Sequence, residues 1–216
     1  MNAELFGADE DGPWPERLDT GTVLLHRFAD AAAVGLLSAI TQITTQAPFR
    51  HLVTPGGQHM SVAMSNCGPL GWVSDRKGYR YQPTDPETGL AWPAMPPAFL
   101  ELAQGAAAMA GFPGFAPDAC LINRYAPGTR LSLHQDRDER DYSAPIVSVS
   151  LGLPAVFLFG GIARTDKVQQ LTLQHGDVLV WGGPDRLRHH GVKPLAEGIH
   201  SLLGAQRINL TFRRAH

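Results

Sequence analysis

A chain of 216 residues, 44% of them hydrophobic and with a formal charge of −2, can bury one sizeable core and has ordinary single-domain length. The near-neutral balance excludes a protein that coats nucleic acid through a uniformly basic surface, while leaving room for local basic patches. The two cysteines, Cys67 and Cys120, make no disulfide framework and match no zinc spacing, and no apolar leader or run of about 18 apolar residues is present, so a cytoplasmic protein without a membrane span is expected.

Residues 1–20 carry Glu4, Asp9, Glu10, Asp11, Glu16 and Asp19 against Arg17 alone, a local charge of −5 that leaves about +3 for the rest. With Pro13 and Pro15, this segment reads as an acidic flexible arm before one domain over 21–216. From Asp30, an N-cap candidate, to Gln46, apolar residues recur at Ala33, Leu36, Leu37, Ile40 and Ile43, the spacing of an amphipathic helix. Residues 51–92 are rich in Gly, Pro and aromatics, in VTPGG, CGPLGW and KGYRYQP. A long stretch without periodicity inside a compact domain reads as a lid or binding loop. A second helix follows Pro96 and Pro97 and ends at Gly111.

Over 118–213 the pattern changes to short strands closed by turns: DACLINRY, RLSLHQD, PIVSVSLGL, AVFLFGG, VQQLTLQ, VLVWGG and RINLTFR. The expected fold is mainly β with flanking helices, an antiparallel jelly-roll core whose outer face the N-terminal helices cover.

The stretch LSLHQDRDE, residues 131–139, runs from a strand into a histidine and three carboxylates. In extended backbone His134, Asp136 and Asp138 share one face, spaced by roughly 7 Å. Downstream, the pair His189 and His190 precedes Gly191. Two histidines and a carboxylate form the facial triad that binds non-haem Fe(II) and leaves coordination positions open. The rival HGD at 175–177 reads as a hairpin turn, and His26, His51, His59, His200 and His216 as surface or loop residues.

In RINLTFR, Arg207, Asn209, Thr211 and Arg213 share one face and Ile208, Leu210 and Phe212 the other. The polar face is either solvated or, with Asn123 and Tyr125 from LINRY, one wall of a pocket for a small dicarboxylate, which a planar guanidinium grips through paired hydrogen bonds.

The motifs NxY in LINRYAPG, HxD in LSLHQDRDE, IVSVSLG, the HG at 190–191 and RxNLTFR together resemble the AlkB family of Fe(II)- and 2-oxoglutarate-dependent nucleic-acid dealkylating dioxygenases, over about residues 20–213. The resemblance implies a double-stranded β-helix core with a nucleotide-recognition lid. It implies His134, Asp136 and His190 as iron ligands, and Asn123, Tyr125, Arg207, Asn209 and Arg213 around 2-oxoglutarate, with Arg207 on its distal carboxylate. In GWVSDRKGYRY, Trp72, Tyr79 and Tyr81 alternate with Arg76, Lys77 and Arg80, a mixture suited to stacking bases and neutralising phosphates or to filling a small satellite core. By the same resemblance Trp72 stacks on a flipped base, Tyr79 meets a phosphate, Asp138 faces the exocyclic amine, Arg164 lies nearby, and Thr54, Met60 and Ser61 belong to the lid. Gln58, Arg137 and His189 depart from the family pattern.

The implied activity is oxidative demethylation of 1-methyladenine and 3-methylcytosine in single- or double-stranded DNA, with RNA as a further substrate, using O2 and releasing succinate, CO2 and formaldehyde. The enzyme would act as a monomer without an obligate protein partner. The alternatives are an Fe(II)/2-oxoglutarate hydroxylase of a protein or metabolite, and a non-catalytic jelly-roll binding module stabilised by a metal.

Overall fold

The computed structural model describes residues 12–216. The chain opens with a hairpin of β1 (Trp14–Asp19) and β2 (Thr22–His26), then forms α1 (Ala33–Gln46), β3 (Ala63–Cys67), β4 (Gly71–Asp75), β5 (Gly78–Gln82) and α2 (Pro97–Met109). Eight strands follow: β6 (Ala119–Tyr125), β7 (Leu131–His134), β8 (Ile146–Gly152), β9 (Ala155–Phe159), β10 (Gln169–Leu173), β11 (Val178–Trp181), β12 (His190–Val192) and β13 (Arg207–Arg213).

These strands make a seven-stranded sheet in the order β1-β2-β11-β8-β13-β6-β3, a four-stranded sheet β10-β9-β12-β7, and the separate hairpin β4-β5. Alternation along the strands sends side chains to opposite faces, and the large sheet uses both. Ile122, Val147, Val149, Leu210 and Phe212 pack under the helices with Leu36, Ile40, Phe99 and Ala103. Leu121, Tyr125, Ile146, Leu179 and Trp181 face Phe157, Phe159, Leu173 and Val192 of the smaller sheet. The order of layers is therefore helices, large sheet, small sheet.

Both helices bury the predicted faces. Pro97 opens α2, where its missing N–H costs nothing, and Ala103, Ala106 and Ala107 let that helix lie close to the sheet. Phe99 meets Phe212 edge to face at 5.8 Å; each such buried aromatic contributes about 2 kcal/mol.

Three expectations need correction. Residues 1–11 of the predicted arm lie outside the described residues, but Trp14–Asp19 is a paired edge strand, not a loose arm. It is anchored by stacking of Trp14 on His26 at 3.8 Å and by a 2.9 Å bond from His26 to Glu16. Asp30 does not cap α1, which begins at Ala33 after Ala32 without a side-chain cap; its carboxylate instead accepts from Arg27 Nε at 2.9 Å. Residues 51–92 are not an irregular loop throughout, since β3 pairs with β6 inside the large sheet and β4 with β5. Among the described residues no helix is long and apolar enough to cross a membrane.

Candidate metal centre and substrate cavity

The end of β7 and the start of β12 meet at two histidines. His134 and His190 lie opposite each other in the antiparallel ladder, with ring centroids 4.4 Å apart. His134 Nδ1 lies 2.9 Å from the carbonyl of Ser132 and His190 Nδ1 3.1 Å from that of Arg188. A carbonyl only accepts, so both Nδ1 atoms carry the proton and both Nε2 lone pairs are free. Such bonds fix the tautomer and ring orientation of metal-binding histidines.

Asp136 completes the set, with Oδ1 3.6 Å from His134 Nε2 and Oδ2 3.8 Å from His190 Nε2. The candidate ligand atoms of the three residues all lie within 4.8 Å of one another, the one such His/Cys/Asp/Glu group among the described residues. β7 ends at His134, so Asp136 lies just beyond the ladder that pairs the two histidines.

Burial works against ionising Asp136, but the Arg213 guanidinium outweighs it and holds the carboxyl well below its usual range. Arg213 donates to Asp136 Oδ2 through Nε at 2.8 Å, with Nη2 2.7 Å from the same oxygen. Burial, with His134 nearby, pushes His190 down to about 3. The site thus holds a carboxylate anion beside an imidazole kept neutral by its surroundings, a donor set that fits one divalent ion with nitrogen and oxygen preferences.

Gly191 explains why glycine follows the second histidine. A Cβ there would stand 2.7 Å from the carbonyl oxygen of Leu131 and 3.1 Å from the amide of Leu133. β12 can approach β7 closely enough to pair the histidines only without that atom.

Beside the triad lies a cavity of about 660 Å³. Its wall includes Asn123, Tyr125, Arg207, Asn209, Thr211 and Arg213, so the polar face of β13 lines a pocket and is not a solvated outer surface. Arg207 is 1% exposed. Its Nη2 donates to Ser150 Oγ at 2.8 Å, while Nε and Nη1 are buried without a partner, as is Asn123 Oδ1. Burial lowers Arg207 only to about 10, leaving it charged at neutral pH. A buried cation with two unused donors is costly unless an anion pairs with it. The residues therefore fit a small carboxylate cosubstrate whose far end meets Arg207. Arg213 stands apart, its guanidinium taken up by Asp136 and by Glu139 at 3.4 Å.

Trp72, Tyr79 and Asp138 line the opposite wall, with Thr54, Gln58, Met60, Ser61 and Arg137. Asn66, on β3, grips the main chain of Trp72 at both N–H and carbonyl, each at 3.0 Å. The indole Nε1 donates to Asp138 Oδ2 at 2.7 Å, and the ring stacks on Tyr79 at 5.5 Å. Asp138 thus belongs with the aromatic wall and not with the triad. Two predicted substrate residues lie elsewhere. Tyr81 directs its hydroxyl to Glu139 at 2.7 Å, a structural tie. Arg164 is exposed, with Nη1 on the carbonyl of Leu133 at 3.1 Å. Glu139, given no role by the sequence, is 5% exposed and joins Tyr81, Arg213 and, at 3.1 Å, Arg186. Its place in the acidic run was the available signal. Met64, Phe157 and Trp181 also line the cavity, but sequence alone makes them ordinary core residues.

The profile of the 2OG-Fe(II) oxygenase superfamily matches residues 21–213. The α-ketoglutarate-dependent dioxygenase AlkB of Escherichia coli is 60% identical over 212 residues, covering 98% of this chain and 97% of that protein. A protein of Arabidopsis thaliana named DNA N(6)-methyladenine demethylase ALKBH1D is 43% identical over 112 residues, 47% of this chain and 25% of its own length. The solved structure of OsALKBH1 superposes with a TM-score of 0.83 at 30% identity, covering 93% of this chain and 99% of that one. By sequence and by fold, the chain belongs to the AlkB family of the 2OG-Fe(II) oxygenase superfamily and is an Fe(II)- and 2-oxoglutarate-dependent dioxygenase.

Proposed function

We propose that this enzyme removes methyl groups from damaged bases in nucleic acid, with 1-methyladenine and 3-methylcytosine in DNA as substrates and RNA as a second strand type. The observation that carries this reading is the cavity itself: a stacked Trp72–Tyr79 pair and the Asp138 carboxylate face a His134, Asp136 and His190 triad across one space. The AlkB relationship supports the activity, and the demethylase name of the Arabidopsis relative supports DNA as a substrate.

In this reading His134, Asp136 and His190 hold iron, and 2-oxoglutarate lies with its distal carboxylate on Arg207, flanked by Asn123, Tyr125 and Asn209. Arg213 orients Asp136 at the near end. Bound there, iron and 2-oxoglutarate would use O2 to oxidise the methyl carbon, one oxygen atom going to succinate as CO2 is lost and the other to a hydroxymethyl product that sheds formaldehyde. The chain's own work is positional. A base inside a duplex cannot reach the cavity, so it is flipped out, at a cost the lesion lowers by disrupting pairing. Trp72 offers an indole face for stacking, worth about 1–3 kcal/mol per base. Asp138 accepts from the exocyclic amine and attracts a cationic methylated base. Tyr79, 46% exposed, meets the adjoining phosphate, and Arg164, held on the carbonyl of Leu133, lies near the base.

The order of the eight C-terminal strands supports a double-stranded β-helix: β6, β8, β11 and β13 fall in one sheet and β7, β9, β10 and β12 in the other, the chain switching sheets at every step but β9 to β10. We take 118–213 as that core, the parts of 51–92 outside β3 as the lid over it, and β1 together with 21–216 as one working domain. The buried free thiols of Cys67 and Cys120 suit a reducing compartment.

The test is anaerobic loading with Fe(II) and 2-oxoglutarate, then addition of O2 with methylated or unmethylated oligonucleotide. Formaldehyde and succinate in equal amounts, from the methylated strand only, support the reading. Succinate without formaldehyde points to another substrate class.

A further inference from the structure

The turn between β1 and β2 is locked to the segment that leads into β12. Gly182 N–H donates to the carbonyl of Gly21 at 2.9 Å. Asp185 Oδ2 accepts from Gly21 N–H and from Thr22 Oγ1, both at 2.8 Å. The segment then presents Arg188, whose side chain is 9% exposed. Its Nη1 donates to Asp19 Oδ2 at 2.6 Å, its Nε to the carbonyl of Gly160 at 2.6 Å, and its guanidinium carbon lies 4.0 Å over the ring of Phe159. Asp185 Oδ1 is a further 3.5 Å partner.

Each of these contacts bears on His190. Phe159 is the residue opposite His190 in the β12–β9 ladder, and Gly160 N–H donates to the carbonyl of His189 at 2.7 Å. The carbonyl of Arg188 itself accepts from His190 Nδ1, the bond that aims Nε2 at the other two members of the triad. The side chain of residue 188 thus fixes its own backbone from the sides of β1 and β9, and that backbone holds the imidazole. A rigid guanidinium fork suits this better than a lysine, which offers one flexible point charge. Asp19, the last acid of the segment read as an arm, is the outer anchor; the Thr20 amide, ahead of Arg188, keeps its carboxyl below the usual range.

We infer that Arg188, anchored by Asp19, is a positioning residue for the metal centre, through which the N-terminal hairpin sets the orientation of His190. This rests on the proposal that His190 is a metal ligand. A purely structural Arg188 would lower stability and leave metal binding untouched.

The test is anaerobic titration of the full-length protein with Co(II) as the probe, following affinity and the visible ligand-field absorption, with thermal unfolding of the metal-free protein alongside. Partners that orient ligating histidines typically account for about ten- to a hundredfold in metal affinity. Arg188→Met is expected to weaken Co(II) binding about tenfold and to alter the absorption band, and Arg188→Lys to restore part of both. Asp19→Ala removes a half-exposed partner, so the chain should still fold, and it should move affinity in the same direction by a smaller factor. The double variant should match Arg188→Met alone, the non-additivity of two residues acting as one unit. Wild-type affinity and spectrum in both single variants, or additive losses in the double, would overturn the inference. His190→Ala in the same titration separates the two proposals. If it keeps wild-type affinity, the ligand assignment fails and the inference with it. If it loses Co(II) while Arg188→Met binds normally, the inference alone fails.

Discussion

The floor of the cavity and its lid are built in opposite ways. Every residue of β8 and β13 is buried, and both strands have neighbours on each side, so Arg207, Asn209 and Arg213 cannot shift without breaking the large sheet. The lid hairpin β4-β5 pairs only with itself. Val73 packs with Ala47 and Trp92, and Tyr81 against Leu70, Ala119 and Ala215; polar contacts add to this: Asn66 on the Trp72 main chain, Ser74 Oγ on the carbonyl of Val53 at 2.7 Å, Tyr81 on Glu139 and the Trp72 indole on Asp138. Each is worth about 1 kcal/mol net. The lesson is a division of labour in which groups needing fixed geometry sit in the large sheet, and groups meeting a large, variable polymer sit on a separate two-stranded hairpin.

Breaking the floor should therefore have the largest effects. Asp136→Ala removes one ligand and leaves the buried Arg213 charge with Glu139 as its remaining acid. Turnover should fall to background, and metal-free stability by about 3 kcal/mol or more, read by denaturant unfolding. Arg207→Met should raise the KM for 2-oxoglutarate about a hundredfold or more, the cost of truncating a buried charge pair. Its sharper signature is that the cosubstrate-free protein should not lose stability, because two of the three guanidinium nitrogens have no partner to lose. A lower Tm for Arg207→Met would contradict the view that this cation is kept for an anion.

The lid should respond more gently and on the other substrate. Trp72→Ala should raise the KM for methylated oligonucleotide about ten- to a hundredfold through lost stacking, with the KM for 2-oxoglutarate unchanged. Tyr81→Phe, which unties the hairpin from Glu139, should cost about 1 kcal/mol, seen as a few-fold rise in the same oligonucleotide constant.

The smallest effect concerns pH, away from the cavity. His175 accepts at Nδ1 from the amide of Gly152 at 2.9 Å, and its ring lies tilted 4.5 Å from that of His200. Burial, and then His200, lower its pKa from the usual 6.5. The unfolded chain therefore binds this proton at a higher pH than the folded one, so stability is lost as pH falls below about 6.5. Replacement by glutamine should narrow the gap between melting temperatures at pH 7.5 and 5.5.

What was legible in the sequence follows the same division. Strands β6 to β11 and β13 announce themselves by short apolar runs closed with turns, and the metal triad by HxD with a distant HG, because local pattern and global role agree there. β12 went unseen as a strand, since three residues carry no period. β1 was hidden by Pro13, Pro15 and its acids, and β3 to β5 by the glycines around them; those strands form because partners distant in sequence pair with them. Glu139, Arg186 and Arg188 were illegible as functional residues for the same reason. A charged side chain looks solvated until the fold encloses it, and only Tyr81 and Arg213 beside Glu139, Glu139 beside Arg186, and Asp19 beside Arg188 give these three their meaning.

The most direct test of the account is a crystal grown anaerobically with Fe(II) and 2-oxoglutarate, measured at the iron absorption edge. It should show one anomalous peak within bonding distance of His134 Nε2, His190 Nε2 and an Asp136 carboxylate oxygen, with the distal carboxylate of 2-oxoglutarate on the free nitrogens of Arg207. Iron bound away from these three atoms, or 2-oxoglutarate bound without Arg207, would contradict it.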